Sequence, residues 1–266
     1  MSPSSPSLPS FGTLYLVPAP LDFGCESVTP LEHVLPHGTL QKAASLQHWV
    51  CENAKSTRAY LKRIHELFPL CVPLQAMQMQ ELPHAVHKKG DHQGNAGTFD
   101  AKTLLKPALE GLDMGLISEA GMPAIADPGS SVVRAAHELG IRVVPLVGPI
   151  SLLLALAASG LNGQNFAFIG YLPSTPTERV QRIRELESLA LKTGQAQIFI
   201  ETPYRNTAVL QSLLQTLQHN TRMATASGLT LLEAECRSDT VKNWKRKFPQ
   251  TWSLHNNRPA VFAIGR

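Results

Sequence analysis

The sequence predicts a pair of α/β domains, and three observations lead there. Short β-rich apolar runs alternate with helix-period segments along most of the chain, the order that builds parallel α/β sheets. The turns that leave the strands are made of small residues and proline, as in 18–22, 119–123 and 148–151. The length, 266 residues, suffices for two compact domains.

The first strand is the apolar run Thr13–Val17, stopped by Pro18, Ala19 and Pro20. A surface helix is expected over Ser56–Phe68, with Tyr60, Leu61, Ile64 and Leu67 at helical spacing. His84–Asp100 has glycines at 90, 94 and 97 and almost no apolar periodicity, which predicts a mobile loop. Met114–Ile117 is the next strand. A helix follows over Ser130–Leu139, with Val132, Val133, Ala136 and Leu139 on one face and Gly140 just past its end. Arg142–Val147 is a strand, turned by Gly148 and Pro149 into the apolar helix of Gly148–Leu161.

The second series starts with a strand at Phe166–Gly170. It continues with a helix whose start, Thr175, Pro176 and Glu178, has the form of a capping box and whose buried side carries Val180, Ile183, Leu186 and Leu189. A strand at Gln197–Ile200, a helix at Thr207–Leu217, and strands at Met223–Ala226 and Ala260–Ile264 complete it. The Pro and Gly cluster near Met122–Asp127 separates the two series, giving a tail over 1–11, an N-terminal domain over 12–122 and a C-terminal domain over 123–266.

Composition narrows the function classes. With 43% hydrophobic and 17% charged residues the chain is of ordinary globular type. Its longest apolar stretch, in Gly148–Leu161, is shorter than the roughly 20 residues of a membrane span. The start MSPSSPSLPS has neither the basic nor the apolar region of a secretory signal, so a cytoplasmic protein without membrane contact is expected. Cys25, Cys51, Cys71 and Cys236 contain no C-x-x-C pair and are expected to be ordinary thiols. A net charge of +4 permits a polyanionic partner without demonstrating one.

No G-x-G-x-x-G follows a strand, and neither G-x-x-x-x-G-K-[ST] nor G-x-S-x-G occurs. What remains is the set of strand-terminal loops, Pro18–Asp22, Glu119–Pro123 and Gly148–Ser151. Their small residues either let a ligand approach backbone groups at the carboxyl ends of the strands or simply make tight turns. Asp127, directly before Pro128, is expected to cap the following helix. His84, His87 and His92 have spacings zinc could use, but their loop offers no supporting shell, so no metal is assigned.

The segments GTLYLVPAPLD, VCENAKSTRAYLK, GLISEAGMPAIADPGSSVVRAAHELGIRVVPLVGPISLLLALAASGL, FAFIGYLP and IFIETPYRN occur in that order from Gly12 to about Arg205. Together they resemble the tetrapyrrole methylase superfamily, within it the branch containing the small-subunit ribosomal RNA ribose 2′-O-methyltransferases. The resemblance implies a homodimer of two-domain subunits with S-adenosyl-L-methionine in a cleft between the domains. By position it assigns the cofactor to Pro18 and Ala19, to Glu119, Ala120 and Gly121, and to Ser151, Leu152, Tyr171, Thr202 and Pro203. The family's Asp at position 119 is here a Glu, one methylene longer. Two words of the RNA-methylating branch differ: Glu52, Asn53, Ala54 and Lys55 stand in the first, with Thr57 and Arg58 continuing it, and Ala226–Thr230 replace the second.

Methyl transfer is an in-line displacement that needs alignment and exclusion of water, and a hydroxyl acceptor also needs a base or charge partner. Glu52, Lys55, Glu119, Glu201 and Arg205 are the candidates, each equally readable as an exposed charge or a structural ion pair. Arg237, Lys242, Lys245, Arg246 and Lys247, with Trp244 among them, form either an RNA-gripping patch or a solvated helix face. The expected function is an S-adenosylmethionine-dependent methyltransferase acting on RNA. The alternatives are a methyltransferase for a small molecule such as a tetrapyrrole and a noncatalytic cofactor-binding homologue.

Overall fold

A computed structural model describes residues 11–22, 24–83, 100–247 and 258–266. The chain divides into two compact units, Met1–Phe23 with Pro30–Pro149, and Gly24–Thr29 with Ile150–Arg266. The division falls after Pro149 rather than in Met122–Asp127, because residues beyond that cluster complete the first sheet: Arg142–Pro145 pairs in parallel with Thr13–Leu16. The expected tail and the glycine-rich loop with its three histidines lie outside the described residues, apart from Phe11 and Asp100. Among the described residues no helix is long and apolar enough to cross a membrane.

The first unit runs β1 (Thr13–Leu16), α1 (His37–Ala44), β2 (His48–Cys51), α2 (Ala54–His65), β3 (Gln78–Glu81), a 3-10 turn Ala101–Leu105 leading into α3 (Lys106–Leu109), β4 (Met114–Ile117), α4 (Ser130–Glu138) and β5 (Arg142–Pro145). Its sheet has the order β3-β2-β4-β1-β5, and every pair is parallel. Strand alternation sorts the side chains. Val17, Trp49, Cys51 and Ile117 meet Leu40, Ala43, Leu61 and Ile64 of α1 and α2 in one cluster. Leu14, Val50, Met114 and Leu116 meet Leu105, Ala108, Val132 and Ala136 in another. A sheet buried on both faces is what an all-parallel order requires.

The second unit contains α5 (Ser151–Ser159), β6 (Phe166–Tyr171), α6 (Pro176–Thr193), β7 (Ala196–Glu201), α7 (Asn206–Thr216), β8 (Arg222–Ser227), β9 (Glu235–Thr240), α8 (Val241–Lys247) and β10 (Ala260–Gly265). Its order is β6-β7-β10-β8-β9. Only β6 and β7 are parallel; β10 lies antiparallel between β7 and β8, and β9 antiparallel to β8. The second sheet is therefore mixed. Phe199 and Phe262 stack across β7 and β10 with ring centroids 5.6 Å apart, on the face covered by α6, α7 and Trp244. Leu152, Ala155 and Leu156 of α5 cover Ile198, Ala224, Ala226 and Val261 on the other face.

Four local expectations change. Leu67 lies beyond the end of α2 and is 42% exposed, and Leu189 of α6 is 43% exposed. The buried stripe of α6 is Arg179, Ile183, Leu186, Glu187 and Ala190. Its two charged members are satisfied: Arg179 donates to Ser212 Oγ at 3.0 Å and to the Ser174 carbonyl at 3.1 Å, and Glu187 accepts from the Gln218 amide at 2.8 Å. Pro176 does stand in the first turn of α6, but the Thr175 side chain makes no capping bond.

Gly115 of β4 faces Trp49 of β2 in register, and a Cβ there would lie 2.5 Å from the indole ring. Trp49 is fully buried and donates from Nε1 to the Leu46 carbonyl at 3.1 Å, which holds the ring against retreat. Gly115→Ala is expected to destabilise the protein by about 2 kcal/mol, measured by urea unfolding; unchanged stability would mean that the β2–β4 contact gives way freely.

Candidate functional site

The strand order of the first unit creates a crevice. The chain leaving β1 travels past β4 to reach β2, whereas the chain leaving β4 travels past β1 to reach β5. β1 and β4 are neighbours, so their outgoing loops diverge at the carboxyl edge, the switch point where ligands of open α/β sheets sit. The Val17 amide donates to the Leu116 carbonyl at 2.8 Å. Two residues further, Ala19 and Gly121 exchange backbone hydrogen bonds of 2.9 and 3.1 Å. Gly121 has φ +70°, and a Cβ on it would lie 3.2 Å from Leu21. A Cβ on Gly148 would lie 2.3 Å from the Pro18 ring, so the loop after β5 also closes on this edge through a residue with no side chain. The expected cofactor residues Pro18, Ala19, Glu119, Ala120 and Gly121 are thus brought together on one sheet edge.

The start of α2 builds the neighbouring wall. Asn53 caps it, its side chain accepting from the Lys55 and Ser56 amides at 2.8 and 3.3 Å, and Glu81 accepts from the Ala54 amide at 2.7 Å. Between this helix and the β1 and β4 loops lies a pocket of about 430 Å³ whose lining includes Ala19, Lys55, Tyr60, Ser118 and Glu119. Tyr60 donates to the Pro18 carbonyl at 3.1 Å, and burial pushes its phenol far above the usual range, so it remains a donor. Asp22, 6% exposed, pairs with Arg63 at 3.0 Å along the same lining. The Ser118 hydroxyl is buried and has no hydrogen-bond partner among the described residues.

Three carboxylates gather beside this edge. Glu52 accepts from the Glu119 amide at 3.2 Å, and both carboxylates act on Asp127. Burial first, then the charges of Glu52 and Glu119, raise Asp127 to about 7. The cap position of α4 is Gly129, two residues beyond the Asp127 that the sequence suggested. Ala126, directly before Asp127, has φ 64°. Among sequence candidates, Glu52, Lys55 and Glu119 fall on this unit; Asp22, Arg63 and Ser118 were not anticipated. The Asp22–Arg63 pair spans 41 residues and has no local sequence signature.

In the second unit, β6 and β7 end side by side, bringing Tyr171, Thr202 and Pro203 to one sheet edge. Tyr171 is 55% exposed; Ser151 opens α5 and Leu152 is buried beneath it. Glu201 is almost wholly buried, pairs with Arg205 at 3.1 Å and accepts from the Thr202 amide at 2.8 Å. Arg205 also donates to the Leu172 and Pro173 carbonyls at 2.9 and 3.1 Å. These two candidates therefore hold the β6 and β7 ends together.

The basic cluster loses its stacking residue. Trp244 is fully buried and donates to the Met223 carbonyl at 2.8 Å, so it anchors α8 in the core instead of meeting a base. Lys247 pairs with Asp239 at 2.7 Å and Arg237 with Glu235, while Lys245 and Arg246 are exposed. All four cysteines are free, and burial raises the Cys51 thiol to about 11.

Tetrapyrrole (corrin/porphyrin) methylases match the chain over residues 39–243. The "Ribosomal RNA small subunit methyltransferase I" of Vibrio cholerae is 37% identical over 130 residues, 49% of this chain and 44% of that protein. The protein of the same name from Mesorhizobium japonicum is 36% identical over 151 residues, covering 57% and 50%. The one from Xylella fastidiosa is 33% identical over 176 residues, covering 66% and 54%. The chain thus matches about half the length of these relatives. Among solved structures, the methyltransferase CobJ superposes with a TM-score of 0.52 at 15% identity, covering 96% of this chain and 94% of that one. Uroporphyrin-III-C-methyltransferase from Thermus thermophilus gives 0.50 at 17% identity over the same shares. These two speak for the fold.

Asp127 gives the site a pH signature. Folded, it keeps its proton up to about pH 7, against an ordinary value of 3.8. Its contribution to stability is therefore full below about pH 4 and is lost as pH rises through about 7. Asp127→Asn is expected to stabilise the protein by about 1–2 kcal/mol at pH 8, with the gain vanishing near pH 4, in urea titrations at both values. An equal gain at both would show that Asp127 does not titrate in this range.

Proposed function

Because the chain belongs to the tetrapyrrole methylase family, we propose that it is an S-adenosylmethionine-dependent methyltransferase whose acceptor is RNA, with small-subunit ribosomal RNA as the substrate to test first. The observation that carries the methyl-donor assignment is the β1–β4 switch point, where the outgoing loops, packed closely at Gly121 and Gly148, bring the backbone of 18–19 and 119–121 to one sheet edge. The RNA assignment is supported by the relatives, which are named as ribosomal RNA methyltransferases.

When bound, S-adenosylmethionine supplies an electrophilic methyl group on a cationic sulfur. Pro18, Ala19, Ala120 and Gly121 would hold it through backbone groups. Within the second unit the candidates are Ser151, Leu152, Tyr171, Thr202 and Pro203. The protein's own task is to orient the acceptor, exclude water and manage one proton. Glu119 lines the pocket and is the candidate proton acceptor for a ribose hydroxyl; Asp127 becomes able to receive that proton only above about pH 7, where it has lost its own. Glu52 orients the Glu119 backbone, and Lys55 provides a cation at the pocket. Glu201 and Arg205, tied to each other, are positioning residues in this scheme. We also propose a homodimer, supported by exposed Leu153, Leu154, Phe166 and Phe168 on the second unit.

Isothermal titration of the full chain with S-adenosylmethionine and with S-adenosylhomocysteine is expected to give saturable binding at about one site per chain, lost in folded Gly121→Trp. Radiolabelled methyl transfer to undermodified small-subunit ribosomal RNA is expected to follow. Absence of binding by the folded parent would replace this reading with the noncatalytic one, and transfer to a tetrapyrrole extract but not to RNA would replace the acceptor.

A further inference from the structure

The pocket beside α2 has a lining suited to a particular kind of guest. Four charged side chains line it, Lys55 and Arg63 against Asp22 and Glu119, so the charges balance. Asp22 and Arg63 are paired with each other and present a fixed carboxylate and guanidinium. Ser118, 5% exposed, belongs to the same lining, and its hydroxyl lacks any partner among the described residues. A buried hydroxyl without a partner carries a desolvation cost that a guest with a donor or acceptor at that point would remove. The first amides of α2 are already bonded to Asn53 and Glu81, so the helix start does not serve as a phosphate cradle.

We propose that this pocket receives the methyl-acceptor nucleoside of a single-stranded RNA, unstacked from its neighbours, with Ser118 and the Asp22–Arg63 pair meeting the polar edge of its base. The assignment rests on the RNA methyltransferase reading above and deepens it. The volume, about 430 Å³, suits one nucleoside. The charge balance suits a neutral base with donors and acceptors along one edge, the features by which single-stranded RNA is read. A tetrapyrrole, several times larger and carrying many carboxylates, would call for a wider and cationic lining. Ala19 and Glu119 belong both to this lining and to the switch-point loops, so the guest would lie against the edge from which the methyl group is delivered. Lys55 is exposed, and a cation there fits the backbone phosphate of the same nucleotide. Extrusion of the acceptor into such a pocket is how enzymes reach a buried nucleotide.

The test uses the full chain and two variants. Ala59, exposed on α2 and part of the lining, becomes the plug Ala59→Trp, a surface change compatible with folding; Ser118→Ala removes the hydroxyl. S-adenosylmethionine affinity is read by titration, and RNA methylation by radiolabel transfer with KM and kcat separated. Ala59→Trp is expected to keep cofactor affinity within about twofold of the parent while transfer to RNA falls about 20-fold or more. Ser118→Ala is expected to raise KM for RNA about tenfold, with cofactor affinity unchanged. Parental transfer rates in Ala59→Trp would overturn the nucleoside assignment and leave the methyltransferase reading standing. Loss of cofactor binding in folded Ala59→Trp would overturn it differently, by giving the pocket to the cofactor. A parent that binds no S-adenosylmethionine, or binds it and leaves RNA unmethylated, would sink the underlying reading together with this assignment.

Discussion

The parallel pairing of β1 with β4 is the constraint on which the first unit depends. Because the two strands are neighbours while their outgoing chains head for opposite edges of the sheet, the chain cannot close over their carboxyl ends with an ordinary crossover. The helices that follow β1 and β4 fall on opposite faces, as the two apolar clusters record. Backbone bridges the edge through Ala19 and Gly121. Any larger residue at Gly121 or Gly148 would meet Leu21 or Pro18, so the small residues of these loops serve the closeness of the loops themselves as well as a ligand.

Charge burial follows two different rules in the two units. In the second, Glu201 meets Arg205 and Glu187 meets the backbone after α7, so each buried carboxylate is compensated and fixed. In the first, Asp22 is compensated by Arg63, but Asp127 stands among carboxylates and is held up near neutrality instead. A structural network gains nothing from that arrangement, since replacing one carboxyl by an amide would relieve it. A poised proton site beside a pocket is the use to which such a group is suited.

Much of this architecture is legible in the sequence, and the misses have identifiable causes. Strong apolar runs, such as Met114–Ile117 and Ala260–Gly265, announce themselves. β3, with the sequence QMQE, and β9, with ECRSDT, are made strands by their neighbours rather than by their own composition. The direction of a strand leaves no mark in its residues, which is why β10 was expected in a parallel series and lies antiparallel between β7 and β8. The domain boundary misled for a related reason: a Pro and Gly cluster marks a turn, but only pairing of β5 with β1 assigns the residues beyond it. The strand-terminal loops of small residues were visible because turn chemistry is local. The pocket was not, since Asp22, Arg63 and Ser118 become neighbours only when α2 lies along the sheet edge.

The departures from the RNA-methylating word at Glu52–Lys55 acquire a physical meaning in this setting. Asn53 caps α2 through its side-chain oxygen, a task that Asp performs equally well, so exchange between the two leaves the helix start intact. Glu52 does not face the pocket but bonds the Glu119 amide, holding the β4 loop to the β2 end. Thr57 turns its hydroxyl back to the Asn53 carbonyl and stays buried. Most of the segment thus fixes one helix relative to two loops, and such work tolerates substitution as long as the bonds are kept. Lys55 is different: it is exposed, lines the pocket and takes part in no ion pair among the described residues. The word that this segment resembles ends in Arg, so Lys55 keeps its positive charge and loses only the planar fork of donors.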